Sequence, residues 1–243
     1  MKTDIHSEIR KLISVRSSWA LAAGAVAIAV ATVLAAAAAG EMPVGDPLHN
    51  LLVLRMPLFT GIVLLVLGIR SVTDEFRYGT MAATVLASPG RMRVIGAKAV
   101  VAAGAGAVVA AVAEVTVIAG SLALAAGRGE TLVLDAARLA SVGSGVVVAG
   151  AAIAAFGVGL GAVVRHQVPA VVGGILWFLL AEELLSVAAG EASRFLPAAL
   201  AQGASYAALG AGLSPPAAAL GFTVYTAGLL ALGSVLMRRR DLS

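Results

Sequence analysis

Residues 71–98 read SVTDEFRYGTMAATVLASPGRMRVIGAK, a charged island between two apolar stretches that run over 51–70 and 95–126. About 20 apolar residues carry a helix across roughly 30 Å of hydrocarbon. Each flank is therefore long enough to cross a bilayer, and the island belongs to one aqueous face. The rest of the chain has the same character. Of 243 residues, 60% are hydrophobic and 12% charged, where a soluble domain carries about 25% charge. This composition is that of an integral membrane protein, because an aqueous fold would have to hide several long apolar runs at once.

The pattern predicts an all-α, polytopic protein with six spanning helices, over 19–39, 51–70, 95–126, 138–164, 168–187 and 214–237. The third and fourth exceed a perpendicular crossing and must tilt or project. With six spans both termini share a side. That side holds 13 of the 17 Lys and Arg residues, and the other holds Arg55, Arg128, Arg138 and Arg194. The positive-inside rule then places the termini and the island in the cytoplasm. Glu41, Asp46, Glu130, Asp135, Glu182, Glu183 and Glu191 fall on or near the outer side. A sequence pI near 10.0 needs no nucleic acid to explain it, since the basic residues flank spans rather than form one patch. Zero Cys removes disulfides, thiolate metal sites and Cys nucleophiles, and His6, His49 and His166 are scattered, so no metal site is expected.

Two further segments flank the spans. Over 1–18, Ile5, Ile9, Leu12 and Ile13 share one helical face while Asp4, Glu8 and Lys11 share another. This pattern predicts an amphipathic helix in the headgroup layer, with Trp19 at the water boundary. Residues 188–213 are too polar and Gly-broken for a seventh span and too apolar for an ordinary loop. They are expected to form a re-entrant helical pair on the outer side, its backbone covered by protein because lipid cannot satisfy polar groups. Gly157 and Gly161, and separately Ala103, Ala107 and Ala111, form small-residue ridges for close helix packing.

Within the island, Ser71 and Thr73 are candidate caps, and Asp74 and Glu75 would fill the first turn of a new helix, where its dipole favours carboxylates. Phe76, Thr80, Ala83 and Leu86 recur as a membrane-facing stripe, which leaves Asp74, Glu75, Arg77 and Tyr78 for water or a protein. Ser88-Pro89-Gly90 breaks the helix. Arg91 and Arg93 follow at headgroup level, and Lys98 stands near enough to the inner end of the third span to snorkel.

Glu-Phe-Arg-Tyr-Gly-Thr at 75–80, Leu86, Ser88-Pro89, Arg91 with Arg93, and Ala97-Lys98 leading into an apolar span resemble the cytoplasmic signature of type-2 ABC exporter permeases, in particular short, actinobacterial-like forms. The resemblance implies that residues 1–243 form a single transmembrane permease domain in a bacterial cytoplasmic membrane. It also implies assembly with a second, identical or paralogous permease and with two cytoplasmic ATPase chains that carry the ATP and Mg. The cytoplasmic coupling helix between spans two and three would meet the ATPase through Asp74, Glu75, Arg77, Tyr78, Gly79, Thr80, Pro89, Arg91, Arg93 and Lys98. Many relatives carry an acid where this chain has Ala82, which shifts that contact to Asp74 and Glu75. An amphipathic cargo, whether drug or antibiotic, lipid or peptide, would be exported. The chain itself has no GxxxxGK[ST] phosphate loop and so no means of hydrolysing ATP by that route.

Inside the spans, Glu114 is the leading candidate for a substrate-pathway residue, because an ionised side chain at that depth must face a polar cavity or find a partner, or else carry a proton. Glu182 and Glu183, near the outer end of the fifth span, either line an exit or cap helix ends. Trp177, Phe178 and Tyr206 are read as belt or packing residues. The alternative function is a secondary transporter or channel that uses Glu114 as a polar or proton site. An enzyme is not expected: Gly143-Ser144-Gly145 has no His in any later span, His166 sits in a turn, and HExxH is absent.

Overall fold

The computed structural model describes residues 2–38, 57–87, 90–129, 136–205 and 213–239. Among these every regular element is helical. Helix α1 (Lys2–Ser14) breaks at Val15 and leads into α2 (Arg16–Ala38); then follow α3 (Pro57–Arg77), the short α4 (Met81–Ala87), α5 (Arg91–Gly127) and α6 (Ala136–Val164). A tight turn at Arg165 starts α7 (Gln167–Leu176), which runs through a π turn at Trp177–Ala181 into α8 (Glu182–Ala189). A 3-10 segment (Gly190–Phe195), α9 (Pro197–Ser205) and α10 (Pro215–Arg239) complete the chain.

Five helical runs are long and apolar enough to cross a membrane: Arg16–Ala35, Met92–Gly127, Ala140–Val164, Gln167–Phe195 and Pro215–Met237. The protein is thus of multi-pass membrane type. The expected second span, 51–70, begins outside the described residues; its visible part is the first two thirds of α3, whose last turns carry Arg70, Asp74, Glu75 and Arg77.

Helix α6 is the centre. It packs against α5, α3, α10, α9 and α7, and more than half of its apolar window is buried, against less than a third in each of the other four. Its small residues allow this. A Cβ added at Gly157 would lie 2.4 Å from Leu65 O, and one added at Gly161 would lie 2.8 Å from Ile69 O, so the Gly157–Gly161 ridge serves contact with α3 inside the chain. On α5 the buried ridge is Ala102, Gly106 and Ala110, with Gly106 against the Gly150 carbonyl. Ala103, Ala107 and Ala111, one position on, are only half-buried.

The island is folded differently from the reading of its caps. Helix α3 runs unbroken through residues 71–77, and Ser71 and Thr73 donate to carbonyls one turn back, to Gly68 O at 2.7 Å and Ile69 O at 3.0 Å. The break comes at Gly79, whose φ of 68° is the left-handed conformation that ends helices at glycine. Residues 71–77 are thus a continuation of α3, and only α4 is a separate helix.

Residues 188–195 are largely exposed, and the covering expected of this segment is seen only over α9. Pro197, Ala198, Leu200, Ala201, Ala204 and Ser205 are buried, with α9 seated on α6 and α10. Residues 206–212 with Tyr206, the rest of the expected re-entrant segment, lie outside the described residues, as do Pro89 and Glu41, Asp46, Glu130 and Asp135, expected on the outer side.

Candidate functional site

At the end of the bundle that carries α1 and the α3–α4 turn, four charged side chains close a ring. Lys11 Nζ stands 2.7 Å from Glu8 Oε1 and 2.7 Å from Glu75 Oε1, and Lys98 Nζ stands 2.7 Å from Glu8 Oε2 and 2.7 Å from the same Glu75 oxygen. Lys98 also donates to Ser71 O at 3.0 Å, so each of its three donors has an acceptor. Lys11 reaches Thr84 Oγ1 at 3.4 Å. The ring therefore joins α1, α3, α4 and α5. Its charges sum to zero, which offsets the cost of burying them.

This arrangement corrects three expectations. Lys98 does not snorkel: its side chain is 1% exposed and turned inward. Glu75 is not left for water or a partner; it is buried in the ring. The charged face of α1 turns in part onto the protein, with Asp4 and Glu8 inward and Lys11 still exposed on one side, while Ile9 and Ile13 stay exposed. The sequence reading missed Glu8 and Lys11 as site residues because an acid and a base three apart on a short helix read equally well as a surface pair. The signal available was the acid–base alternation along one stripe of α1.

Burial pushes the Glu75 carboxyl upward, and the charges and hydrogen bonds of Lys98 and Lys11 outweigh it, holding the group below the ordinary carboxylate value. Burial also works against the Lys11 ammonium, and the bonds and charges of Glu75 and Glu8 reverse that and raise it. Both shifts favour the fully ionised ring. Beside it lies a cavity of about 630 Å³ between α1, α2, α3 and α5, with Leu12, Leu21, Leu67 and Val101 on its walls. The helices here meet through ions rather than through continuous packing.

Outside the ring the island presents a surface. Tyr78 is 69% exposed and Leu86 87%; Arg77, Gly79 and Thr80 are exposed beside them. Arg77 donates to Gln167 Oε1 at 3.0 Å and lies 5.7 Å from the Tyr78 ring centroid. Asp74 is half-buried and paired with Arg70 at 3.1 Å. Arg93 is exposed, 3.9 Å from Asp4. The Arg91 side chain is outside the described set. Phe76, expected on a membrane-facing stripe, packs on the core with the Arg165 guanidinium 5.2 Å from its ring centroid, and Arg165 also donates to Leu236 O at 3.0 Å.

Further along α5, about 24 Å from Lys98 at 1.5 Å per residue, Glu114 is buried and lines a second cavity between α3, α5, α6 and α9. Glu182 takes a different role from its neighbour. Its Oε2 accepts Ala198 N–H at 2.8 Å and its Oε1 accepts Ala199 N–H at 2.7 Å, capping α9 from across the Gly190–Phe195 turn. The π turn makes this possible: Glu182 N–H donates to Trp177 O, five residues back, which rotates the carboxylate toward α9. Glu183 is exposed. Of the two roles open to this pair, Glu182 takes the cap. Phe178 packs edge-on to Phe156 at 5.8 Å. Replacing Glu182 with Ala is expected to cost about 1–2 kcal/mol, as loss of an N-cap does, and to speed amide hydrogen exchange at Ala198 and Ala199 while leaving α5 unchanged.

Among the described residues no group of His, Cys, Asp and Glu is arranged to hold a metal ion. No family model matches the chain, and no curated protein matches its sequence.

Proposed function

We propose that this chain is the transmembrane subunit of an ATP-driven exporter of the type-2 ABC kind, with six spans, α3 the second of them, and both termini in the cytoplasm of a bacterial cell. Hydrolysis belongs to a separate ATPase that binds the island. The observation that carries this reading is the pairing of an exposed surface with a buried ionic joint directly behind it. Arg77, Tyr78, Gly79, Thr80 and Leu86 face outward, while Glu75, two residues before Arg77 on α3, grips Lys98 of α5 and Lys11 of α1. A push on the surface is delivered to two spans and the interfacial helix together, because α3 has no break between Pro57 and Arg77. The ring and its neighbouring cavity then make a joint that re-pairs between inward- and outward-open states, each state favoured by different contacts.

Two copies of the chain, or this chain with a paralogue, would enclose the path of an amphipathic cargo. The test is to purify the chain with its cognate ATPase and screen amphipathic compounds for stimulated hydrolysis. Stable copurification and stimulation that disappears when Arg77 and Tyr78 are replaced by Ala are expected; hydrolysis indifferent to the permease would overturn the proposal. One observation favours a second reading: the buried Glu114 would serve equally in a secondary transporter. Cargo movement driven by an ion gradient, with no nucleotide, would select it.

A further inference from the structure

The cavity at Glu114 is mostly apolar, and among the described residues Glu114 is its only ionisable group. Glu114 is 6% exposed, and its Oε1 is enclosed with no hydrogen-bond partner among the described residues. Among the described residues, Thr60 of α3, Gln202 and Ser205 of α9 and Phe178 of the π turn share the lining, the remainder being Ala, Gly and aliphatic side chains, with no Lys or Arg. The Ser205 hydroxyl is turned to its own helix, donating to Gln202 O at 2.9 Å and Ala201 O at 3.3 Å. A carboxylate only accepts. An enclosed oxygen without a donor forfeits a hydrogen bond and, when ionised, lacks a countercharge at a depth where that is costly. A group that donates and is positive would supply both.

We infer that this cavity binds a primary ammonium group, with Glu114 as its counterion and Phe178 as an aromatic wall. A cation gains from such a ring face as well as from the carboxylate. The volume, about 50 Å³, is far below the roughly 300–1,000 Å³ of a pocket that encloses a drug-sized molecule, so it takes the head of a molecule whose apolar body lies elsewhere. A divalent metal ion asks for about six oxygens, more than these side chains supply. The position of α9 over the cavity adds a means of control. The helix that brings Gln202 and Ser205 is anchored at its start by Glu182, so ligation at Glu114 and the seating of the outer segment are linked. The inference deepens the transport reading by naming the cargo's recognised group, and the binding itself needs no ATPase.

The ammonium belongs either to an amphipathic amine cargo or to a phosphatidylethanolamine headgroup. The test places the full chain in phosphatidylcholine nanodiscs and measures saturable binding of dodecylamine above that of empty nanodiscs, with dodecyltrimethylammonium and dodecyl sulfate as chain-matched probes. Dodecylamine is expected to bind at least tenfold more tightly than either. Glu114→Gln should lose at least tenfold, Thr60→Val less, and the surface variant Glu191→Gln nothing. Adding phosphatidylethanolamine to the nanodiscs weakens dodecylamine binding if the lipid is a native occupant and leaves it unchanged if the site is kept for cargo; both results support ammonium recognition. Equal binding of the three probes by the unaltered chain, or an inserted Glu114→Gln protein that binds dodecylamine as well as the parent, overturns it and leaves a cavity filled by water. If Glu114→Gln fails to insert, the discrimination among probes by the unaltered chain decides alone. Since no partner is present, failure here leaves the coupled-hydrolysis test of the exporter reading untouched, and failure of that test leaves this one standing.

Discussion

Replacing Lys98 with Met is expected to destabilise the protein by about 3–5 kcal/mol, the cost of removing one member of a buried ion pair. The reason is local. Lys98 is the ring member least exposed to solvent, and both Glu8 and Glu75 lean on it at 2.7 Å. Without it two buried carboxylates share the single charge of Lys11. Helix α1 should detach first, since the ring provides its charged contact with α3 and its shortest ones with α5, and limited proteolysis near residues 10–16 would report this. Adding Glu75→Gln to Lys98→Met restores neutrality by leaving the Glu8–Lys11 pair, and should recover most of the loss in a double-mutant cycle. A Lys98→Met protein as stable as the parent, with α1 still protected, would show that the ring carries no load.

Gly68→Ala is expected to have an effect of similar size through packing alone. A Cβ at residue 68 would stand 2.0 Å from Ala154 O and 3.1 Å from Gly157 Cα. The obstacles are backbone atoms of α6, so no side chain can swing aside, and α3 must move off the central helix. Overpacking costs about 1–3 kcal/mol where neighbours relax; here the upper end is expected, read as a lower unfolding midpoint and a smaller monodisperse fraction. Gly24→Ala is the control. Nothing lies within 4 Å of the Cβ it would add, and the change gains about 1 kcal/mol of helix propensity. Equal behaviour of the two variants would contradict the close approach of α3 and α6.

The helical spans were legible because an apolar run of this length has no other economical conformation in lipid. Helices α2, α5, α6 and α10 begin and end within a few residues of the expected 19–39, 95–126, 138–164 and 214–237. Partner choice was not legible. Gly157 and Gly161 mark a face for close contact, yet only the fold assigns that face to α3, and the ridge of α5 fell one residue from the expected one. The start of a coupling helix at Ser71 failed because Ser and Thr serve both as caps and as residues bonding back to the preceding turn; burial of Thr73 and Val72 against the core selected the second. Lys98 was misread for a related reason. A lysine near a span end snorkels unless acids are close, and the acids that hold it come from residues 8 and 75, far apart in the chain. The position of Glu114 in a span could be read directly; the lining that gives its cavity a preference, brought by α9 and the π turn, could not.

The chain contains no Cys, so a single Cys in place of Tyr78, on the exposed surface of the island, gives a unique handle. In inside-out membrane vesicles bearing the complete assembly, a membrane-impermeant thiol reagent should label this Cys, and a short thiol–amine cross-linker should join it to the ATP-hydrolysing chain, with a yield that changes when nucleotide is trapped. Labelling only in right-side-out vesicles, or a cross-link that never includes a nucleotide-hydrolysing partner, would contradict the account.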